Sequence, residues 1–252
     1  MASVQSVLVF GASRGIGLGL VQQALVTHQT ATIFATARDP TRAVSLVTLS
    51  EKSNGRVKII VADAVDPKSI EHVAEDIKKT NSALDLVIYN SGVSNGFGNL
   101  LDVGIQGLKD NFDVNVFGAY YAAVAFVPLL LKSTYTKKSL VLLSSTFGSL
   151  ALSTQILAAH EKIQGATGYD ATALYNISKT ALNQLGVQLD HVLRPQGVLV
   201  LLVHPGIVST DMNPFGGISP EESASGILKV VESFPSAPGK NFVGYDGQVL
   251  PW

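Results

Sequence analysis

The chain has 252 residues, 46% of them apolar and 15% charged, a composition that suits one α/β domain with a wide buried core and excludes a disordered chain. Its 18 basic and 19 acidic residues leave a net charge of −1 with no Lys/Arg-rich run, so nucleic acid and anionic membrane surfaces are not expected partners. The absence of cysteine excludes disulfides, thiolate nucleophiles and thiolate metal sites, and fits a reducing, cytoplasmic setting.

The first ten residues lack the basic n-region of a secretory leader, so no signal peptide is expected. Short apolar runs then recur at Val4–Phe10, Thr32–Ala35, Val57–Val61, Leu84–Tyr89, Leu140–Leu143 and Val198–Val203. Near-continuous Val/Ile/Leu runs mark strands covered on both faces, hence a parallel sheet. Helical segments are expected between and after them at Ile16–Thr27, Pro67–Thr80, Leu108–Leu131, Ala173–Leu193 and Pro220–Glu232. Asp66 before Pro67, and Ser219 before Pro220 with Glu222 three residues on, are helix-start signals. This alternation predicts an α/β, Rossmann-type doubly wound parallel sheet with helices on both faces, a single domain over residues 1–252. The most membrane-like stretch, Val116–Leu131, is short for a span and contains Gly118 and Pro128. It is expected to pack in the core or at a homodimer or homotetramer interface. Residues 146–172 have weak periodicity and are expected to form an irregular flap.

The first strand runs into Gly11-Ala12-Ser13-Arg14-Gly15-Ile16-Gly17, which opens a helix. Glycines let backbone approach a pyrophosphate, and the helix N-terminus favours the anion. The second strand ends at Arg38-Asp39. Arg38 and Arg14 could pair with a 2′-phosphate, which favours NADPH; the rival is that Asp39 reads a ribose hydroxyl and admits NAD. The third strand ends at Asp63, whose local alternative is to bond nearby backbone. The fourth ends at Asn90-Ser91-Gly92, on the sheet edge where cofactors bind. Tyr175 and Lys179 are four apart on one helix, so the phenol and ammonium are neighbours, and a nearby cation favours phenolate and proton exchange near neutral pH. A strand before them ends in Ser144-Ser145, and the last long strand is followed by His204-Pro205-Gly206-Ile207-Val208-Ser209-Thr210. His204 reads as a strand-end residue rather than a base. No histidine spacing suggests a metal site, and Ser145 lacks the glycines of a hydrolase nucleophile elbow.

With its G-x-x-x-G-x-G turn, its Asn90-Ser91-Gly92 and its Tyr-x-x-x-Lys, the chain resembles the short-chain dehydrogenase/reductase family over essentially its whole length. The resemblance implies that Asp63 meets the adenine edge. It implies that Asn115, with Asn111 as the competitor, kinks its helix and holds a proton-relaying water. Ser145, three residues before Gly148, would bind the substrate oxygen, and strand alternation also favours it over Ser144. Tyr175 would be the proton donor, and Lys179 would bind the nicotinamide ribose and depress the Tyr175 pKa. Val208 and Thr210, beyond Pro205 and Gly206, would fix the carboxamide. Two departures stand out. Phe10 replaces the usual threonine, with loss of a hydroxyl tie to the glycine turn, and Ser145 and Tyr175 are thirty residues apart, wider than usual. That gap and the segment from Phe242 to Trp252 resemble the sniffer-like and C-factor-like carbonyl reductases. The implied activity is NADPH-dependent reduction of a small-molecule ketone, aldehyde or quinone carbonyl to an alcohol. Substrate walls are expected at Ser94–Phe97, in part of Leu150–Ile163 and at Asn213–Ile218. Imine or enone reduction, a non-redox cyclase-like role and cofactor sensing on the same scaffold are the rivals.

Overall fold

The computed structural model describes residues 3–164, 172–234 and 239–252. Seven strands form one all-parallel sheet: β1 (Ser6–Phe10), β2 (Thr32–Ala37), β3 (Val57–Val61), β4 (Leu86–Tyr89), β5 (Ser139–Leu143), β6 (Leu199–His204) and β7 (Phe242–Gly244). Their spatial order is β3-β2-β1-β4-β5-β6-β7. The order reverses between β1 and β4, which opens a crevice at the carboxyl ends of those strands, the usual ligand position in such sheets. β1, β4 and β5 are buried at every position, as their uninterrupted apolar sequences require.

The helices are α1 (Gly15–Thr27), α2 (Val44–Lys52), α3 (Pro67–Thr80), α4 (Gln106–Phe112), α5 (Gly118–Leu130), α6 (Leu150–Gln164), α7 (Ala173–Leu193) and α8 (Pro220–Ser233). The start signals act as expected: Asp66 accepts from the Lys68 amide and Ser219 from the Glu222 amide. One core lies between the sheet and α1 and α8, with Leu20, Val21, Ile227 and Leu228 at its centre. The other lies between the opposite face and α3, α5 and α7, around Ile70, Phe126, Leu129 and Leu182. Burial on both faces explains why the strands alternate with helices rather than with polar residues.

The single helix expected over Leu108–Leu131 is interrupted. Between α4 and α5, residues Asp113–Phe117 form one wider π-helical turn, in which the Gly118 amide bonds the Asp113 carbonyl. The run Gln106–Leu130 is long and apolar enough to cross a membrane by length and composition. However, it packs Ala119, Ala122, Phe126, Leu129 and Leu130 into the core and buries Asn111 and Asn115 completely.

The expectation of an irregular stretch over 146–172 is corrected. Thr146–Gly148 is a 3₁₀ turn and Leu150–Gln164 is the helix α6. No side chain of α6 is buried between Leu150 and Ala159, so it carries no buried apolar stripe that periodicity could reveal. Residues 165–171 and the side chains of 160–164, which include His160 and Ile163, lie outside the described residues.

Candidate active site

A cleft of about 500 Å³ opens at the switch between β1 and β4, within the range of small-molecule sites. It is bounded by the glycine turn, the ends of β2, β3 and β4, the start of α7 and the loop after β6.

The glycine turn is held from three sides. Gly11 has φ +87°, a conformation glycine adopts without strain, and its amide donates to the Thr36 hydroxyl at 2.8 Å. Phe10 offers no hydroxyl to the turn, as its identity dictates, and Thr36 gives the turn a hydroxyl tie from β2 instead. The Ala12 amide bonds the Thr36 carbonyl, and the Asn90 amide nitrogen donates to the Gly11 carbonyl at 2.6 Å. Gly17 packs so closely that a Cβ there would lie 2.0 Å from the Gly11 carbonyl oxygen and 2.6 Å from Asn90 Nδ2. No side chain caps the start of α1, so its first amides face the cleft without a side-chain partner competing for them. That arrangement suits a pyrophosphate.

Gly11, Ser13, Arg14, Gly15, Ile16, Arg38, Asp63, Asn90, Ser91 and Gly92 line the cleft, as do Tyr175, Lys179, Pro205 and Thr210. Gly17, in the glycine turn, and Gly206 and Val208, in the loop after β6, do not line it. Val208 is buried and its carbonyl accepts from Asn213 Nδ2. Asp39, the rival reader of a ribose, caps the turn that follows it by accepting from both the amide and the hydroxyl of Thr41. Asp63 lines the cleft and, as its local alternative required, accepts the Val65 amide at 3.2 Å. Arg14 also forms an exposed ion pair with Asp211 at 3.1 Å, a cleft residue that no sequence signal singled out.

At the other end of the cleft the two serines divide. The Ser144 hydroxyl donates to Asn183 Oδ1. The Ser145 hydroxyl accepts the Phe147 amide at 3.2 Å, and it is the serine whose side chain acts to lower the pKa of the Tyr175 phenol. Ser144 contributes to the cleft wall and Ser145 does not, yet of the two only Ser145 acts on the Tyr175 phenol. The Phe147 ring meets Tyr175 edge-on at 6.3 Å.

Lys179 is buried; its ammonium donates to the Leu143 carbonyl at 2.7 Å and lies 5.6 Å from the centre of the Tyr175 ring. Burial pushes the Tyr175 phenol up to about 12, offset in part by the Ser145 hydrogen bond, and pushes the lysine down to about 7. Desolvation penalises the charged form of each.

Asn115 sits one layer behind. Its side chain accepts the Val93 amide and donates to the Val93 carbonyl, both at 2.9 Å, and donates to the Ser178 hydroxyl at 2.8 Å. Ser178 in turn donates to the Tyr175 carbonyl at 2.7 Å. Asn115 thereby ties the loop after β4 to the first turns of α7. Asn111 makes a parallel clamp one turn earlier, on the Asn95 backbone.

Residues 11–225 match a family model described as enoyl-(acyl carrier protein) reductase. An uncharacterised oxidoreductase of Schizosaccharomyces pombe is 30% identical over 97% of this chain and 96% of its own length. A solved structure of NADPH-bound carbonyl reductase from chicken fatty liver superposes with a TM-score of 0.86 at 29% identity, covering 100% of both chains. The carbonyl reductase Sniffer of Drosophila melanogaster superposes at 0.84 with 26% identity, again over 100% of both.

Proposed function

The chain belongs to the short-chain dehydrogenase/reductase family and is an oxidoreductase, and on that premise we propose that it reduces a ketone, aldehyde or quinone carbonyl to an alcohol with NADPH. The observation that carries this reading is the grouping of Tyr175 and Lys179, the ammonium 5.6 Å from the centre of the phenol ring, at one end of a cleft whose other end is an uncapped glycine turn, with Ser145 acting on the phenol from beside it.

The glycine turn and the amides of α1 would hold the pyrophosphate. Arg38 and Arg14 line the cleft where a 2′-phosphate would need guanidinium partners, while Asp39 is engaged by Thr41. This favours NADPH over NADH, in keeping with the bound cofactor of the chicken reductase. NADPH, when held there, would supply the hydride that the carbonyl carbon accepts, leaving NADP⁺. Tyr175 gives its proton to the oxygen, so C=O becomes CH–OH. With its pKa near 12 the phenol is protonated at neutral pH, the state a donor needs. Ser145 orients the carbonyl oxygen. Lys179, with a pKa near 7, can restore the proton, and Asn115 holds the framework behind it.

The family model's description favours a second reading, reduction of a C=C bond conjugated to a carbonyl. Product analysis with an enone separates the two, as an allylic alcohol supports carbonyl reduction and a saturated ketone opposes it. The primary test is NADPH oxidation against diketones, quinones, aromatic aldehydes and enones. Tyr175→Phe is expected to lower kcat by about 10²–10⁴-fold, the usual worth of a positioned acid. Unchanged turnover in that variant removes the tyrosine mechanism.

The outward side of α5 and the turn before it exposes Phe117, Tyr120 and Val124. That apolar face supports assembly as a homodimer or homotetramer, and sedimentation at micromolar concentration as a 26.5 kDa species would refute it.

A further inference from the structure

We propose that His204 is a positioning residue that fixes the Ser145 hydroxyl in register with Tyr175. The inference rests on the reductase reading above and adds to it a residue with no part in the chemistry.

Ser145 lies where β5 has ended and a 3₁₀ turn begins. The preceding residue is still held by the sheet, because the Ser144 amide bonds the Val203 carbonyl at 2.8 Å. Past that point the sheet ladder is replaced by a side chain: the Thr146 amide donates to His204 Nδ1 at 3.3 Å. The backbone is thus fixed on both sides of Ser145. Its hydroxyl, which accepts the Phe147 amide within the same turn, is aimed by that fixed backbone.

His204 is itself well anchored. It is the last residue of β6, paired with Gly244 of β7, and its carbonyl accepts the Tyr245 amide at 2.8 Å. To accept at Nδ1 the ring must be neutral with its proton on Nε2. Burial favours that form, against a weaker opposing pull from Asp246. Asn places an oxygen close to the Nδ1 position and can substitute for it as an acceptor, whereas Phe keeps the ring and loses the acceptor.

The experiment compares His204→Phe, His204→Asn, Ser145→Ala and the His204→Phe/Ser145→Ala pair, using NADPH and the fastest carbonyl substrate of the panel. His204→Phe is expected to lower kcat roughly ten- to hundredfold with KM for NADPH nearly unchanged, since misplacement by about 1 Å can cost about 10²-fold. His204→Asn should stay within about threefold of wild type, because it restores the acceptor. In the Ser145→Ala background the histidine change should have almost no further effect, as expected when two residues act as a unit. Independently of activity, the Thr146 amide should be protected from hydrogen exchange in wild type and His204→Asn and exposed in His204→Phe. Equal losses in the Asn and Phe variants, a full additive loss in the double variant, or an unprotected Thr146 amide in wild type would overturn the proposal. If Ser145→Ala is itself fully active, the serine role fails, and the positioning inference fails with it. If Ser145→Ala is crippled while His204→Phe is normal, only the positioning inference fails.

Discussion

Thr36 carries a task that a single-position comparison would assign to residue 10. Its hydroxyl is the acceptor for the Gly11 amide, and its carbonyl takes the Ala12 amide. Thr36→Val removes the first of these and leaves a partly buried N–H unpaired. A loss of about 1–3 kcal/mol is expected by urea denaturation, together with weaker NADPH binding by fluorescence titration. Arg38 bears on the choice of cofactor. Arg38→Ala should raise KM for NADPH about tenfold or more, the worth of a charge-assisted hydrogen bond, and leave KM for NADH nearly unchanged. Equal effects on both cofactors would remove Arg38 as the reader of the 2′-phosphate. Tyr175, Lys179 and Ser145 were legible in the sequence because helix spacing and strand ends are local. The Arg14–Asp211 pair was not, because its partners are brought together only by the return of the chain after β6.

At the scale of elements, the π turn between α4 and α5 widens the helix where Asn115 clamps Val93 and Ser178. The buried Tyr89 hydroxyl donates to the Val114 carbonyl in that turn at 2.6 Å. Gly118 allows this approach: a Cβ there would lie 2.3 Å from the Tyr89 hydroxyl and 2.6 Å from the Ala64 carbonyl oxygen. Gly118→Ala should therefore destabilise the protein by about 1–3 kcal/mol through overpacking. Tyr89→Phe should relieve part of that strain, so that the double variant is less destabilised than the sum of the singles. Strict additivity in denaturation midpoints would show that the phenol is not the obstacle. Sequence pattern marked a helix across this region and an unusual Asn within it. It could not show the extra residue in the turn, which depends on the packing of β4 beneath.

Over the whole molecule, buried titratable groups set the pH dependence of stability. Lys179 binds a proton less readily folded, near 7, than unfolded, near 10.5, so between these values the unfolded chain holds more protons and stability rises with pH. Tyr175 acts oppositely above about 10, since its folded pKa is raised. Stability of the cofactor-free protein should therefore climb from pH 7 to about 10, by at most about 4 kcal/mol, and then fall. Lys179→Met should flatten the climb in denaturation series at several pH values. On the acid side, His28 and His204 both have lowered pKa values, the latter down to about 4. Stability should then decline as pH falls from about 6.5 toward 4. A wild-type profile that is flat from 7 to 10 would show that Lys179 stays hydrated.

The sequence by itself determined the alternation of strands and helices, the glycine turn at the first strand end and the helical Tyr-Lys pair, because each is written in neighbouring residues whose spacing matches a backbone period. It missed α2, which buries only Leu46, the sparsely buried α6, and the three-residue β7, because none of these carries a long apolar pattern. Tertiary structure decided which serine faces the phenol, where the turn-anchoring hydroxyl comes from, that a histidine of one strand holds the end of the next, and that both Tyr175 and Lys179 are shifted toward neutrality. Those outcomes depend on distance and desolvation across the sheet, which chain order does not encode.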